Sequence, residues 1–110
     1  MSNITKMFTP SFINIVPVTH PDAYPYQVMT DNFYIIVDSS AEPTTIILPP
    51  APQEGNRFVI KDGAGNSGSN AITIEGNGNT IDGEPLYVIQ NDYGFVGVLF
   101  DGFEWKVINQ

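Results

Sequence analysis

Phe95-Val96-Gly97-Val98-Leu99-Phe100-Asp101-Gly102-Phe103-Glu104-Trp105-Lys106-Val107-Ile108 places two branched and aromatic runs on either side of Asp101-Gly102. Asp and Gly both tolerate the positive φ that a two-residue hairpin loop demands, so this stretch reads as two antiparallel strands joined by a tight turn. The same grammar recurs upstream. Phe33–Val37 precedes the loop Asp38–Pro43, and Thr44–Leu48 stops at Pro49, Pro50 and Pro52. Arg57–Lys61 ends at Asp62-Gly63, Ala71–Glu75 at Gly76–Asn79, and Leu86–Gln90 at Asn91-Asp92. Thr80-Ile81 is a short piece closed by Asp82-Gly83. Short β-type runs punctuated in this way indicate an all-β sandwich or barrel. No stretch keeps helical periodicity without a proline or glycine interrupting it, so a helix-rich fold is excluded.

Proline and glycine divide the 110 residues: eight of nine prolines precede residue 53, and all ten glycines follow residue 54. Pro10, Pro17, Pro21 and Pro25 rule out a helix or central strand running through residues 1–30. Between them lie aromatic and branched residues in which disordered tails are poor. The segment therefore reads as an extended N-terminal arm whose side chains dock, either on another protein or back on their own domain. The expected architecture is an antiparallel β-sandwich or barrel over 31–110 with the arm at 1–30.

Strand faces bear on association. Ile72 and Ile74 alternate with Thr73 and Glu75, as do Phe103, Trp105 and Val107 with Glu104 and Lys106. The runs 33–37 and 95–100 are apolar on both faces. Such a sheet needs cover on its second side, from another internal layer or from a neighbouring subunit.

Composition excludes several functions. Twelve acids against four bases give a net charge of −8, leaving little to neutralise nucleic-acid phosphates or to bind an anionic membrane. The apolar stretch Phe12–Val18 is far too short to span a bilayer and lacks the flanks of a signal peptide. The absence of cysteine excludes disulfides, thiolate catalysis and sulfur-ligated zinc. One histidine, His20, has no second histidine to complete a transition-metal site, and no Gly-x-Ser-x-Gly elbow accompanies it. Asp38, Asp62, Asp82, Asp92 and Asp101 fall in turns, where Asp bonds the local backbone. Gly63, Gly65 and Gly68 fit Gly-x-Gly-x-x-Gly, but that fingerprint must open a helix, and here a strand follows. The loop reads as a flexible connection. No enzyme activity, cofactor or metal is expected.

Taken in order, Tyr34–Ser40, Thr45–Pro52, Gly55–Asp62, Gly65-Asn66, Ile72–Ile74, Asn79–Gly83 and Asp101–Ile108 resemble a β-module of tailed-bacteriophage fibre and tailspike proteins. The similarity covers about residues 33–108. It implies a β-rich, usually trimeric structural unit of the virion without a catalytic centre. Fibre chains carry such a module inside a longer polypeptide. A short copy with an apolar N-terminal arm resembles a capsid decoration, or cement, protein. The resemblance thus implies a homo-oligomer on the capsid surface, made in the host bacterial cytoplasm, whose arm grips the major capsid protein and stabilises the shell. Phe8, Phe12, Ile13, Ile15, Tyr24 and Tyr26 are the expected contact residues. The alternatives are a tail fibre or tail adaptor module, and a host-glycan binder reading sugars with Tyr87, Tyr93, Phe103 or Trp105.

Overall fold

The computed structural model describes the backbone of residues 15–19 and all atoms of 25–110. Among the described residues there are nine strands: β1 (Ile15–Thr19), β2 (Tyr26–Gln27), β3 (Tyr34–Asp38), β4 (Thr44–Ile47), β5 (Arg57–Asp62), β6 (Ile72–Glu75), β7 (Leu86–Ile89), β8 (Phe95–Phe100) and β9 (Trp105–Asn109). They form a five-stranded sheet in the order β1-β3-β5-β8-β9 and a four-stranded sheet in the order β2-β4-β6-β7. The all-β sandwich expected from the turn grammar is the fold.

Its pairing is mixed rather than antiparallel throughout. From β1 to β6 the chain alternates between the sheets, so β1, β3 and β5 run parallel in one, and β2, β4 and β6 run parallel in the other. This is a flattened β-coil in which a strand of the opposite sheet serves as the crossover that parallel neighbours require. The proline-rich loop after β4 and the loop after β3 carry the chain across the sandwich instead of folding it back. Only after β6 does the chain reverse: β7 runs antiparallel to β6, β8 to β5, and β9 to β8.

The segment read as an arm contributes two of these strands. β1 pairs with β3 from Ile15↔Tyr34 to Thr19↔Asp38, and β2 pairs with β4 through Tyr26↔Ile46 and Gln27↔Ile47. Val28 is buried and its N–H donates to the Ile47 carbonyl at 2.8 Å.

Alternation fills the core. Ile35 and Val37 of β3, Ile46 of β4, Phe58 and Ile60 of β5, Ile72 and Ile74 of β6, and Val96 and Val98 of β8 are wholly buried between the sheets. Trp105 is 0% exposed and sits against Phe58 and Phe100, with ring centroids 5.7 and 5.2 Å away. Each large apolar side chain taken out of water in this way contributes roughly 1.5–3 kcal/mol before ordering costs.

The closing hairpin forms between β8 and β9, but its turn is longer than the two residues expected. Phe100 pairs with Trp105, so Asp101–Glu104 make the turn, and only Gly102 takes positive φ, at 100°. The Asp101 carboxylate accepts the N–H groups of Phe103 and Glu104, each at 2.9 Å. This Asx-type bonding replaces the first strand residue with a turn residue. Phe103 consequently leaves the Trp105–Val107 face to which alternation assigned it.

Candidate functional site: the outer face of the five-stranded sheet

The parity that buries Ile35, Val37, Phe58, Ile60, Val96 and Val98 turns Tyr34, Ile36, Arg57, Val59, Lys61, Phe95 and Leu99 to the other side of the sheet. Register sets them in rows: Tyr34–Val59–Gly97–Asn109, Ile36–Lys61–Phe95, and Arg57–Leu99–Lys106. No layer among the described residues covers this face. An apolar groove of about 360 Å³ runs across it, lined by Tyr34, Ile36, Val59, Lys61, Phe95 and Asn109. A second hollow of about 190 Å³, which includes Phe33, Arg57 and Ile108, shares Tyr34, Val59 and Asn109 with it. Gly97 lies between Val59 and Asn109 in the first of these rows, where a Cβ would fall 2.1 Å from Asn109 Oδ1.

Charge on this face opposes that of the molecule. The chain's four cations are Lys6, Arg57, Lys61 and Lys106, and the last three stand on these rows. The rows hold no carboxylate; Asp38 follows at the end of β3, where it accepts the Ser40 N–H at 2.9 Å and is held below the usual carboxylate range by its bonds from Ser40. Arg57 lies 5.4 Å from the centroid of the Phe33 ring, and Phe33 meets Tyr34 edge-on at 4.7 Å. Lys61 lies 5.4 Å from the Tyr93 ring centroid and donates to the Tyr93 carbonyl. Lys106 pairs with Glu104 at 2.5 Å, whereas Arg57 and Lys61 form no ion pair among the described residues. Two cations stacked on aromatic rings, beside an apolar groove and without carboxylate partners among the described residues, make a surface suited to an anionic, apolar partner.

The glycine-rich loop carries no such surface, and it is fixed rather than flexible. Its amides converge on the chain's own anion: Asp62 Oδ1 accepts from Ala64 and Gly65 at 3.2 and 2.9 Å, and Oδ2 accepts from Ser67 and Tyr93, both at 2.9 Å. Asp62 is wholly buried. Burial pushes its carboxyl up, but the Ser67 and Tyr93 amides, the Ser67 side chain and the Gly65 amide together pull it down to about 2. A carboxylate thus fills the amide nest that in other proteins receives a phosphate. Among the described residues, no three His, Cys, Asp or Glu side chains are arranged to hold a metal ion.

Of the expected contact residues, Phe8, Phe12, Ile13 and Tyr24 lie outside the described residues. Ile15 opens β1 opposite Tyr34 on the five-stranded sheet. Tyr26 lies on the other sheet, half-buried against the core, with its hydroxyl 2.8 Å from Asn32 Oδ1. Burial first, and Asp31 second, raise the Tyr26 phenol above its ordinary value. Trp105, named for the sugar-reading alternative, is a core residue with no ring face available; Tyr93 and Phe103 stay exposed. Arg57 and Lys61 escaped the sequence reading, although simple alternation along Arg57-Phe58-Val59-Ile60-Lys61 puts both on the face opposite Phe58 and Ile60. The sequence assigns Asp62 to a turn, and its spacing to Gly65 and Ser67 is the local sign of an amide-collecting role.

Comparison with models of protein families and with curated proteins gave no match.

Proposed function

We propose that the protein is a non-enzymatic structural component of a tailed-bacteriophage particle. In this reading it is a capsid decoration protein that associates with its own kind as a trimer and binds the major capsid protein through its N-terminal segment. The observation that carries a binding role is the apolar outer face of the five-stranded sheet, which no other described residues cover. A face of this kind serves contact between proteins, because exposed apolar grooves left open in a soluble chain promote aggregation. The virion assignment rests on the ordered resemblance to fibre modules. The N-terminal segment adds apolar side chains whose burial on a shell contributes roughly 1.5–3 kcal/mol each before ordering costs, multiplied by avidity in an oligomer. The partners are thus other copies and the major capsid protein, with neither nucleic acid nor membrane. The location is the capsid surface, after synthesis in the bacterial cytoplasm.

A tail fibre or tail adaptor is the second reading, favoured by the same resemblance. The glycan-binding alternative loses its strongest residue, since Trp105 is in the core. The test is co-sedimentation of the full chain with empty shells of the cognate capsid protein. The variant Phe8→Ser/Phe12→Ser/Ile13→Ser spares Ile15, which pairs in β1, and Val28, which belongs to the core. Saturable binding by the wild type, lost in the variant, supports the decoration reading. Equal binding by both removes the N-terminal segment from it, and absence of binding with antibody label at the tail supports the adaptor.

A further inference from the structure

Phe103 is 88% exposed, more than any other large apolar residue described, and it stands on a turn that Asp101 pins through two backbone N–H groups. Its surroundings are anionic. Glu54 lies beside Gly102, Glu104 follows it in the turn, and Glu104 also accepts the Gly83 N–H beside Asp82. Lys106 pairs with Glu104 there at 2.5 Å. The groove on the five-stranded sheet has the opposite character, apolar between Arg57 and Lys61. Phe103 lines neither hollow of that groove.

We propose that Phe103 of one copy inserts into the Tyr34–Val59–Phe95 groove of a second copy, with the acids around its turn facing Arg57 and Lys61. Charge complementarity selects this occupant. Residues 1–24 contribute Lys6 and Asp22, which cancel, so the whole net charge of −8 resides in residues 25–110. The groove's own chain therefore supplies a strongly acidic partner. The segment 1–14 carries Lys6 and no acid, so charge does not recommend it as the groove's cover. Pairing the sheet face with itself across a two-fold axis would set Arg57 and Lys61 against their own copies. Knob against groove joins two different patches, and such a heterologous contact closes into a cyclic ring or grows into an open chain. A trimer is a ring of that type. Because the turn is held by Asp101 before docking, inserting the aromatic ring costs little ordering.

This inference rests on the self-association in the reading above and is independent of the virion assignment. The experiment uses full-length protein and two surface variants, Phe103→Ser (knob removed, groove intact) and Arg57→Glu/Lys61→Glu (groove charge reversed, knob intact). Far-UV circular dichroism and the urea midpoint establish that each is folded. Sedimentation velocity and native mass spectrometry then give the assembly state. The wild type is expected to form a closed oligomer that weakens with added salt. Each variant alone is expected to associate about thirtyfold more weakly or worse. Mixed in equal amounts they should form a one-to-one dimer and nothing larger, since the mixture contains one working knob facing one working groove. If Phe103→Ser assembles like the wild type while the wild type is oligomeric, the knob is overturned and self-association stands. If the wild type is a monomer at every concentration, both fall, and shell co-sedimentation still decides the virion assignment separately.

Discussion

Replacing Asp62 with asparagine keeps the shape of the side chain and removes its charge, and it should destabilise the protein by about 3–6 kcal/mol. The buried carboxylate accepts four backbone N–H groups, two at each oxygen. An asparagine presents an NH2 group to one of those pairs whichever way it is turned, leaving two amide donors facing a donor. Two lost charge-assisted bonds at roughly 1.5–3 kcal/mol each give the magnitude. The effect has a pH signature with a definite sign. The folded carboxyl is held at about 2, below its ordinary 3.8. Between those values the unfolded chain binds more protons, so this group's contribution is complete above about pH 5 and vanishes as pH falls toward about 2. It amounts to roughly 2–3 kcal/mol at 1.36 kcal/mol per pH unit. Urea unfolding from pH 7 to pH 2, followed by the fluorescence of the single Trp105 at fixed protein concentration, measures both quantities. Asp38, Asp101 and Glu104 are also held low by their hydrogen bonds, so the wild type keeps an acid slope of its own, and the informative quantity is the difference between the two proteins. A loss below about 1 kcal/mol at pH 7, with parallel pH profiles, would refute the claim that Asp62 holds the glycine-rich loop.

Trp105→Ala opens a cavity between Phe58 and Phe100 and should cost about 3–5 kcal/mol in urea unfolding followed by circular dichroism. A near-neutral result would place the indole outside the core. Gly76→Ala and Gly55→Ala separate crowding from backbone conformation. At Gly76 a Cβ would fall 1.8 Å from the Asn79 carbonyl oxygen, whereas Gly55 has open space and φ of 93°. The first should lower stability by about 3 kcal/mol and the second by about 1 kcal/mol in the same assay, and the reverse order would contradict the packing of the Gly76–Asn79 turn.

Legibility in the sequence followed the range of the interactions. Phe33–Val37, Arg57–Lys61 and Phe95–Phe100 read as strands because β-branched and aromatic residues carry their preference locally. The hairpin was readable from Asp101-Gly102, yet its length was not: the choice between two and four turn residues depended on the Asp101 side chain bonding two amides ahead of it. That choice moved Phe103 from a strand face to an exposed tip. The direction of pairing was also hidden. Nothing in Asp38–Pro43 distinguishes a loop that folds back from one that crosses to the opposite sheet, because the difference is decided by which strands bury each other.

The double apolarity of the 33–37 and 95–100 runs was visible as a pattern, and with it the need for cover on a second face. The sequence by itself therefore determined the strand-rich class, the turns, the acidity and the exclusion of thiol chemistry, since each follows from composition or from neighbours along the chain. Only the tertiary structure decided that Arg57, Lys61 and Lys106 share one face with the Tyr34–Phe95 groove, and that the Tyr93 amide joins those of Ala64, Gly65 and Ser67 on Asp62. The three cations and the groove residues come from strands far apart in sequence, as does Tyr93 from Asp62, and it is strand register, set by the burial of the opposite faces, that brings them within reach of one another.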